Sequence, residues 1–432
     1  MKLTMALILL PMVSASWQIA IWNWKEKAEN FLSNPFSPSR IPQFLLDAKH
    51  PWVIENRNKL ERLPNVEAYL CYPSEQSEPD SGRAELGGVG NGLSVPPDLF
   101  DSLEINNRWG GVSRPGWPNA LMRLQEINRC PAALSQVRTF KTSIYPHNGE
   151  YSDWSKKIFE PSRPPKEVLD LFTDVLGSMT SLGNLTWDIA RSDAHYFEEH
   201  FSDRRLVLPT VTRLDTGPDS HFLVRMCPNL TSLEIGDSTY LSTEADFLPA
   251  AMSAPNLTRF AMNSRWTISM IEDLVAYMPG LQSLGLWGGL SAEYKYDAHS
   301  YVERDTLKDA LQVLSSLKNL THLELPYAYE LHLGWDGGPW CGNAYDGRGG
   351  RQYQRDVALE GAEAVDRAAA IVVGTLPRLD GFSIGSRHAN ITRYENGTAR
   401  ASFPWTGRRS EWALDVVPHL PCEDESNDEV AC

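Results

Sequence analysis

The stretch CPNLTSLEIGDS, Cys227 to Ser238, sets the terms for everything else in the chain, because its spacing recurs. With Leu230 as anchor, apolar residues stand three before it (Cys227), three after it (Leu233) and five after it (Ile235). The same frame fits LPNVEAYLC on Val66, LSQVRTFKT on Val137, MTSLGNLTW on Leu182, LPTVTRLDT on Val211, APNLTRFAM on Leu257, MPGLQSLGL on Leu281, LKNLTHLEL on Leu320 and LPRLDGFSI on Leu379. Positions +3 and +5 lie two apart, so on a strand they share one face, while +2 and +4 share the other. The frame therefore predicts short parallel strands, each burying its +3 and +5 side chains. The anchor and the residue before it in the frame enter that core from the preceding turn, where proline is tolerated because its nitrogen owes no ladder hydrogen bond.

Helical patterns fill the spaces between anchors. PPKEVLDLFTDVLGSM puts Val168, Leu171, Phe172, Val175, Leu176 and Met179 on one face, and TISMIEDLVAYM, TLKDALQVLSSL and VALEGAEAVDRAAAIVVGTL precede their repeats in the same way. Helix then strand is the predicted unit. Such units bury a core only against their neighbours, so the chain is expected to be one continuous body with tails.

This pattern resembles the leucine-rich repeat, in the loose form found in fungal proteins of the F-box and ribonuclease-inhibitor-like superfamily. The resemblance spans roughly residues 60 to 385 and implies an α/β, irregular leucine-rich-repeat solenoid, with parallel strands on a concave face and helices on the convex face. It is nearly silent on ligand. The expected organisation is a signal peptide over 1–15, an N-terminal cap over 16–60, a solenoid over 61–386 with insertions at 73–118 and 327–356, and a C-terminal cap with an acidic tail over 387–432.

The amino terminus, MKLTMALILLPMVSAS, combines one Lys, an apolar run from Met5 to Val13 and a Val13-Ser14-Ala15 cleavage pattern. It predicts a secreted chain beginning at Ser16. The alternative is an uncleaved anchor, since Met5 to Trp24 carries no charge, which would tie the protein to a membrane of the secretory pathway. Asn-x-Ser/Thr sequons stand at Asn184, Asn229, Asn256, Asn319, Asn390 and Asn396. Asn229, Asn256 and Asn319 share one frame position, so a turn preference alone accounts for them; Asn390 and Asn396 stand outside the frame.

Charge and cysteines narrow the function. The formal charge of −15 argues against a nucleic-acid surface, which needs a basic stripe. Of the six cysteines, Cys71, Cys130 and Cys227 read as small buried hydrophobes, leaving Cys341, Cys422 and Cys432 as the expected bridge formers.

Catalytic patterns fail on context. Gly381-Phe-Ser-Ile-Gly385, with Asp415 and His419 downstream, matches a nucleophile elbow, yet Phe382 and Ile384 are +3 and +5 positions of a repeat strand. In HYFEEH, His195 and His200 are five apart and lie on different helical faces. The glycines at 87, 88, 90 and 92 match no phosphate-binding pattern and read as a flexible loop. No enzyme, cofactor or metal is expected.

Binding is. The +2 and +4 positions make a row that includes Arg213, Asp215, Glu234, Arg259, His322 and Glu324, with Asn263 and Trp287 just past their strands at +6. The row is mixed in charge, which suits a protein or glycan ligand. Trp335 and Trp340 in the glycine-rich segment from Tyr327 to Asp356 add a second, rim-loop candidate. The rival reading within the binding class is an intracellular F-box-type substrate receptor lacking a clear F-box.

Overall fold

A computed structural model describes residues 41–47, 49–63, 66–71, 95–106, 116–144, 163–217, 219–236, 244–291, 306–334 and 347–418. Among the described residues the order begins with α1 (Gln43–Asp47), α2 (Pro51–Leu60) and α3 (Val66–Cys71). Alternation of strand and helix then begins: β1 (Ser102–Asn106), α4 (Gly116–Asn128), α5 (Pro131–Gln136), β2 (Thr139–Ile144), α6 (Lys166–Ser178), β3 (Asn184–Ile189), α7 (Ala194–Asp203), β4 (Arg213–Thr216), α8 (Phe222–Met226) and β5 (Ser232–Ile235). It continues with α9 (Glu244–Ala251), β6 (Arg259–Asn263), α10 (Ile268–Tyr277), β7 (Ser283–Trp287), α11 (Thr306–Leu314), β8 (His322–Leu325), α12 (Gly347–Thr375) and β9 (Gly381–Ile384). The described residues close with β10 (Arg387–His388), β11 (Asn390–Arg393), β12 (Ala399–Ser402) and α13 (Arg409–Val416).

The result is a mixed α/β protein built on one ten-stranded sheet whose spatial order is its sequence order, β1 to β10. Strands β1 to β9 run parallel, and β10 turns back antiparallel to β9. Parallel neighbours need a crossover, which the helices supply.

The frame sets the register. Leu103, Phe140, Leu185, Leu214, Leu233, Phe260, Leu284, Leu323 and Phe382 pair strand to strand, and each is buried. A one-residue slip would turn this row outward, so burial fixes the pairing. The position after the anchor forms a second ladder through its backbone. Arg138 N–H donates to the Asp101 carbonyl, Gly183 to Arg138, Thr212 to Gly183, Thr231 to Thr212, Thr258 to Thr231, Gln282 to Thr258, Thr321 to Gln282 and Asp380 to Thr321, all between 2.7 and 3.1 Å.

The turn before each strand explains its prolines. The N–H groups of Leu230, Leu257, Leu281 and Leu379 donate to the carbonyls of Cys227, Ala254, Met278 and Leu376, closing β-turns. Pro228, Pro255, Pro279 and Pro377 occupy the second residue of those turns, where a fixed φ is an advantage.

Three expectations are corrected. The frame on Val66 is not a strand: Val66, Leu70 and Cys71 are buried on the short helix α3. The first strand among the described residues is instead β1, inside the expected insertion 73–118, with Phe100 as its buried anchor and Leu103 and Ile105 as its core residues. Cys71 and Cys130 are not free thiols but a disulfide, joining the end of α3 to the residue before α5. Both sit at the buried ends of short helices, and the bridge holds those helices together. Cys227 is free and buried as expected, and burial pushes its thiol up to about 12, so it stays protonated. Cys341, Cys422 and Cys432 lie outside the described residues.

Helix α12 is longer than its sequence pattern, starting at Gly347 within the 327–356 insertion and not at Val357. Beyond β9, the β11–β12 hairpin and α13 pack on α12, and the Trp405 indole N–H donates to Asp366 at 3.1 Å. At the opposite end α1 lies against β1 with Phe44 and Leu45 fully buried. Among the described residues no helix is long and apolar enough to cross a membrane; the expected signal peptide, residues 1–15, and the alternative anchor to Trp24 lie outside them.

Candidate functional site

With +3 and +5 turned into the core, strand alternation sends +2, +4 and +6 to the other side of the sheet. Register then decides which of them meet. Arg213 on β4 reaches the neighbouring strand, its Nη2 3.3 Å from Glu234 Oε2 on β5. Arg259 on β6 reaches further, placing Nη2 3.5 Å from Glu324 Oε1 on β8. That second pair passes over β7 between Ser283 and Gly285, which present only a hydroxymethyl group and a hydrogen.

Glu324 carries a second partner. The Trp287 indole N–H donates to its Oε2 at 3.1 Å, so each carboxylate oxygen holds a different planar group. Trp287 is partly exposed and leans back along its own strand. A Cβ built on Gly285 would lie 3.1 Å from the indole nitrogen and 2.8 Å from the Ala261 methyl. Ala261 and Gly285, the +4 residues of the Leu257 and Leu281 frames, belong to the same row by the frame, but both are buried, beneath this group. The backbone carbonyl of Trp287 accepts from Trp266 Nε1 at 3.1 Å and from Ser264 N–H at 2.8 Å, so the strand end that carries the indole is itself pinned.

The remaining expected residues fall on the same side. Asn263 is the register partner of Trp287, and His322 is exposed, with its Nδ1 2.9 Å from Thr321 Oγ1. Asp215 is partly buried beside Glu234. Burial and then the Glu234 charge hold its carboxyl above the usual carboxylate range, against the pull of Arg213. The row continues past β4: Thr186 on β3 and Lys141 on β2 hold +4 positions, β1 adds Glu104 in register with Lys141, and Ser143 Oγ donates to Asp188 at 3.1 Å. The signal for Glu104 was the Phe100 frame, which reads Phe100, Leu103, Ile105, whereas Lys141, Ser143, Thr186 and Asp188 follow from the Val137 and Leu182 frames.

Trp335 and Trp340 lie outside the described residues. At the start of their segment Tyr327 and Tyr329 are exposed, with stacked rings whose centroids are 5.8 Å apart.

All six sequon asparagines, Asn184, Asn229, Asn256, Asn319, Asn390 and Asn396, are exposed. Three of their threonines also serve the backbone ladder: Thr231, Thr258 and Thr321 donate through Oγ1 to the carbonyls of Thr212, Thr231 and Gln282. Threonine at that position thus has a structural reason independent of glycosylation.

The chemical patterns take ordinary places. Ser383 is buried on β9 and pairs with His388 across a tight turn, with no helix opening behind it. Asp415 pairs with Arg408 at 3.0 Å, and His419 lies outside the described residues. His195 is exposed on α7, while His200 Nε2 lies 3.2 Å from Asp170. Among the described residues no three His, Cys, Asp or Glu side chains are grouped to hold a metal ion. No family model matches the chain, and no curated protein is significantly similar to it.

Proposed function

We propose that the chain is a leucine-rich-repeat solenoid, its strands on a concave face and its helices on the convex one, that works as a secreted or cell-surface binding protein and not as an enzyme. Its ligand is a protein or glycan held on the sheet face, with the segment that follows β8 as an adjoining rim. The observation that carries this reading is the cluster of Trp287, Glu324 and Arg259, polar and aromatic groups fixed side by side where the core gives no reason for a tryptophan. The in-register core row and the backbone ladder support the repeat architecture. Export is supported by the apolar leader, by the exposed sequons and by the Cys71–Cys130 disulfide, a bond favoured in oxidising compartments.

Two measurements test it. Endoglycosidase treatment of material from a eukaryotic host should lower its mass, and amino-terminal sequencing should begin at Ser16; an unshifted mass with an intact Met-Lys-Leu start overturns export. Screening the immobilised protein against secreted proteins and glycans should give ligands that bind Trp287→Ala and Arg259→Ala at least roughly tenfold more weakly. Ligands insensitive to both variants would move the site away from the sheet.

A further inference from the structure

The sheet-face cluster is more selective than a general contact surface. Glu324 uses both oxygens internally, one on the Arg259 guanidinium and one on the Trp287 indole, which fixes two planar groups at little further entropic cost on binding. Its charge is matched by Arg259, as that of Glu234 is matched by Arg213. Asp215 is in register with Glu234 at the β4–β5 pair, and β5 and β6 separate it from Trp287 on β7.

A ligand bearing a formal charge would be attracted by one member of each pair and repelled by the other, so its charge gains little there. A neutral ligand leaves them intact. It still finds an indole surface for an apolar face, spare carboxylate lone pairs for hydroxyl donors, and guanidinium N–H groups for hydroxyl acceptors. An extended peptide recognised by strand addition needs a sheet edge, and Trp287 stands on β7, with β6 and β8 paired on either side. The chemistry that offers an apolar C–H face together with many neutral hydroxyls is a pyranose ring.

Building on the sheet-face binding reading, we infer that Trp287, Glu324 and Arg259 form a site for neutral pyranose units of a glycan, with the Trp287 indole as the stacking surface. Hydroxyls of the sugar bond to Glu324 and Arg259 without displacing either from the other.

The test is calorimetric titration of the full chain with neutral disaccharides of glucose, mannose, galactose and N-acetylglucosamine, up to about 10 mM. At least one should bind, with affinity unchanged when sodium chloride is raised from about 0.05 to about 0.5 M. Trp287→Ala should weaken that binding at least roughly tenfold, whereas Trp287→Phe, which keeps an aromatic face, should retain most of it. The inference is overturned if no disaccharide in the panel binds, if Trp287→Ala binds as well as the parent, or if affinity collapses with salt. A protein ligand that is lost in both Trp287→Ala and Arg259→Ala while every disaccharide fails would overturn the glycan inference alone. Insensitivity of every ligand to both variants would overturn the sheet-face reading with it.

Discussion

Trp287 and Glu324 stand 37 residues apart in sequence and on adjacent strands, and the indole N–H of the first donates to the carboxylate of the second at 3.1 Å. The bond ties the end of β7 to the middle of β8 on the side of the sheet away from the core. Replacing Glu324 by alanine removes the acceptor and should free the indole. Near-ultraviolet circular dichroism should change, while unfolding free energy should move by no more than about 1 kcal/mol, since the carboxylate is more than a third exposed and solvent screens its pairing. Glu324→Gln keeps an acceptor oxygen and should preserve the parent spectrum. An unchanged spectrum in Glu324→Ala would mean that the hydrogen bond does not position the ring.

Gly285 is required where it stands because of what lies over it. An added methyl would sit 2.8 Å from the Ala261 Cβ, closer than real side chains approach, and 3.1 Å from the Trp287 nitrogen. Gly285→Ala should therefore destabilise the protein by about 1–3 kcal/mol, the usual range for overpacking. Moving the methyl across the strand pair, in the double variant Ala261→Gly with Gly285→Ala, should recover part of that loss in urea unfolding. Equal stability of the single variant and the parent would refute the close approach.

Much of the architecture was legible because a strand's side-chain period is short and its core residues are nearly all aliphatic or aromatic. Leu233 and Ile235 announce their strand in five letters. The same frame misled at Val66, because residues three apart also share a helical face, so Leu63, Val66 and Tyr69 suit either structure. It missed β1 because the anchor there is Phe100, behind a run of glycines and prolines that reads as loop. The Cys71–Cys130 bridge has no sequence signal for a related reason: on a strand, Cys71 fills the +5 core position of the Val66 frame and needs no partner. The link between Trp287 and Glu324 had no sequence signal, as it depends on how two strands pair and on a glycine leaving room between them.

The disulfide makes a separate claim on stability. Cys71 and Cys130 close a loop with a separation of 59 residues, restricting the unfolded chain around α3, β1 and α4. The double variant Cys71→Ser with Cys130→Ser should lose about 2–4 kcal/mol, and reductant should lower the melting temperature of the parent but not of the variant. Identical responses to reductant would remove the bridge from the account.

The core row carries the fold. Leu233 and Leu323 are buried in register with their neighbours on both sides, so Leu233→Asp or Leu323→Asp buries an unpaired charge at a cost of several kcal/mol. Both variants should fail to accumulate as soluble, protease-resistant protein. Normal yield and melting behaviour in both would show that the +3 row is not the core.

Asp215 gives the pH prediction. Burial, and then the neighbouring Glu234 charge, raise its carboxyl above the ordinary value of 3.8. A carboxyl whose folded pKa exceeds its unfolded one favours folding while it is protonated; that contribution is complete below the unfolded value and is lost as pH rises through the folded one. At neutral pH the parent therefore bears the cost of an ionised Asp215 that is partly withdrawn from water and faces Glu234. Asp215→Asn removes the ionisation while keeping the side chain's shape. It should be more stable than the parent at pH 7, and the difference should shrink as pH falls towards 4 and below. The measurement is urea unfolding across that range. A variant less stable than the parent at pH 7 would show that the attraction of Arg213 for the Asp215 carboxylate outweighs burial and Glu234 together.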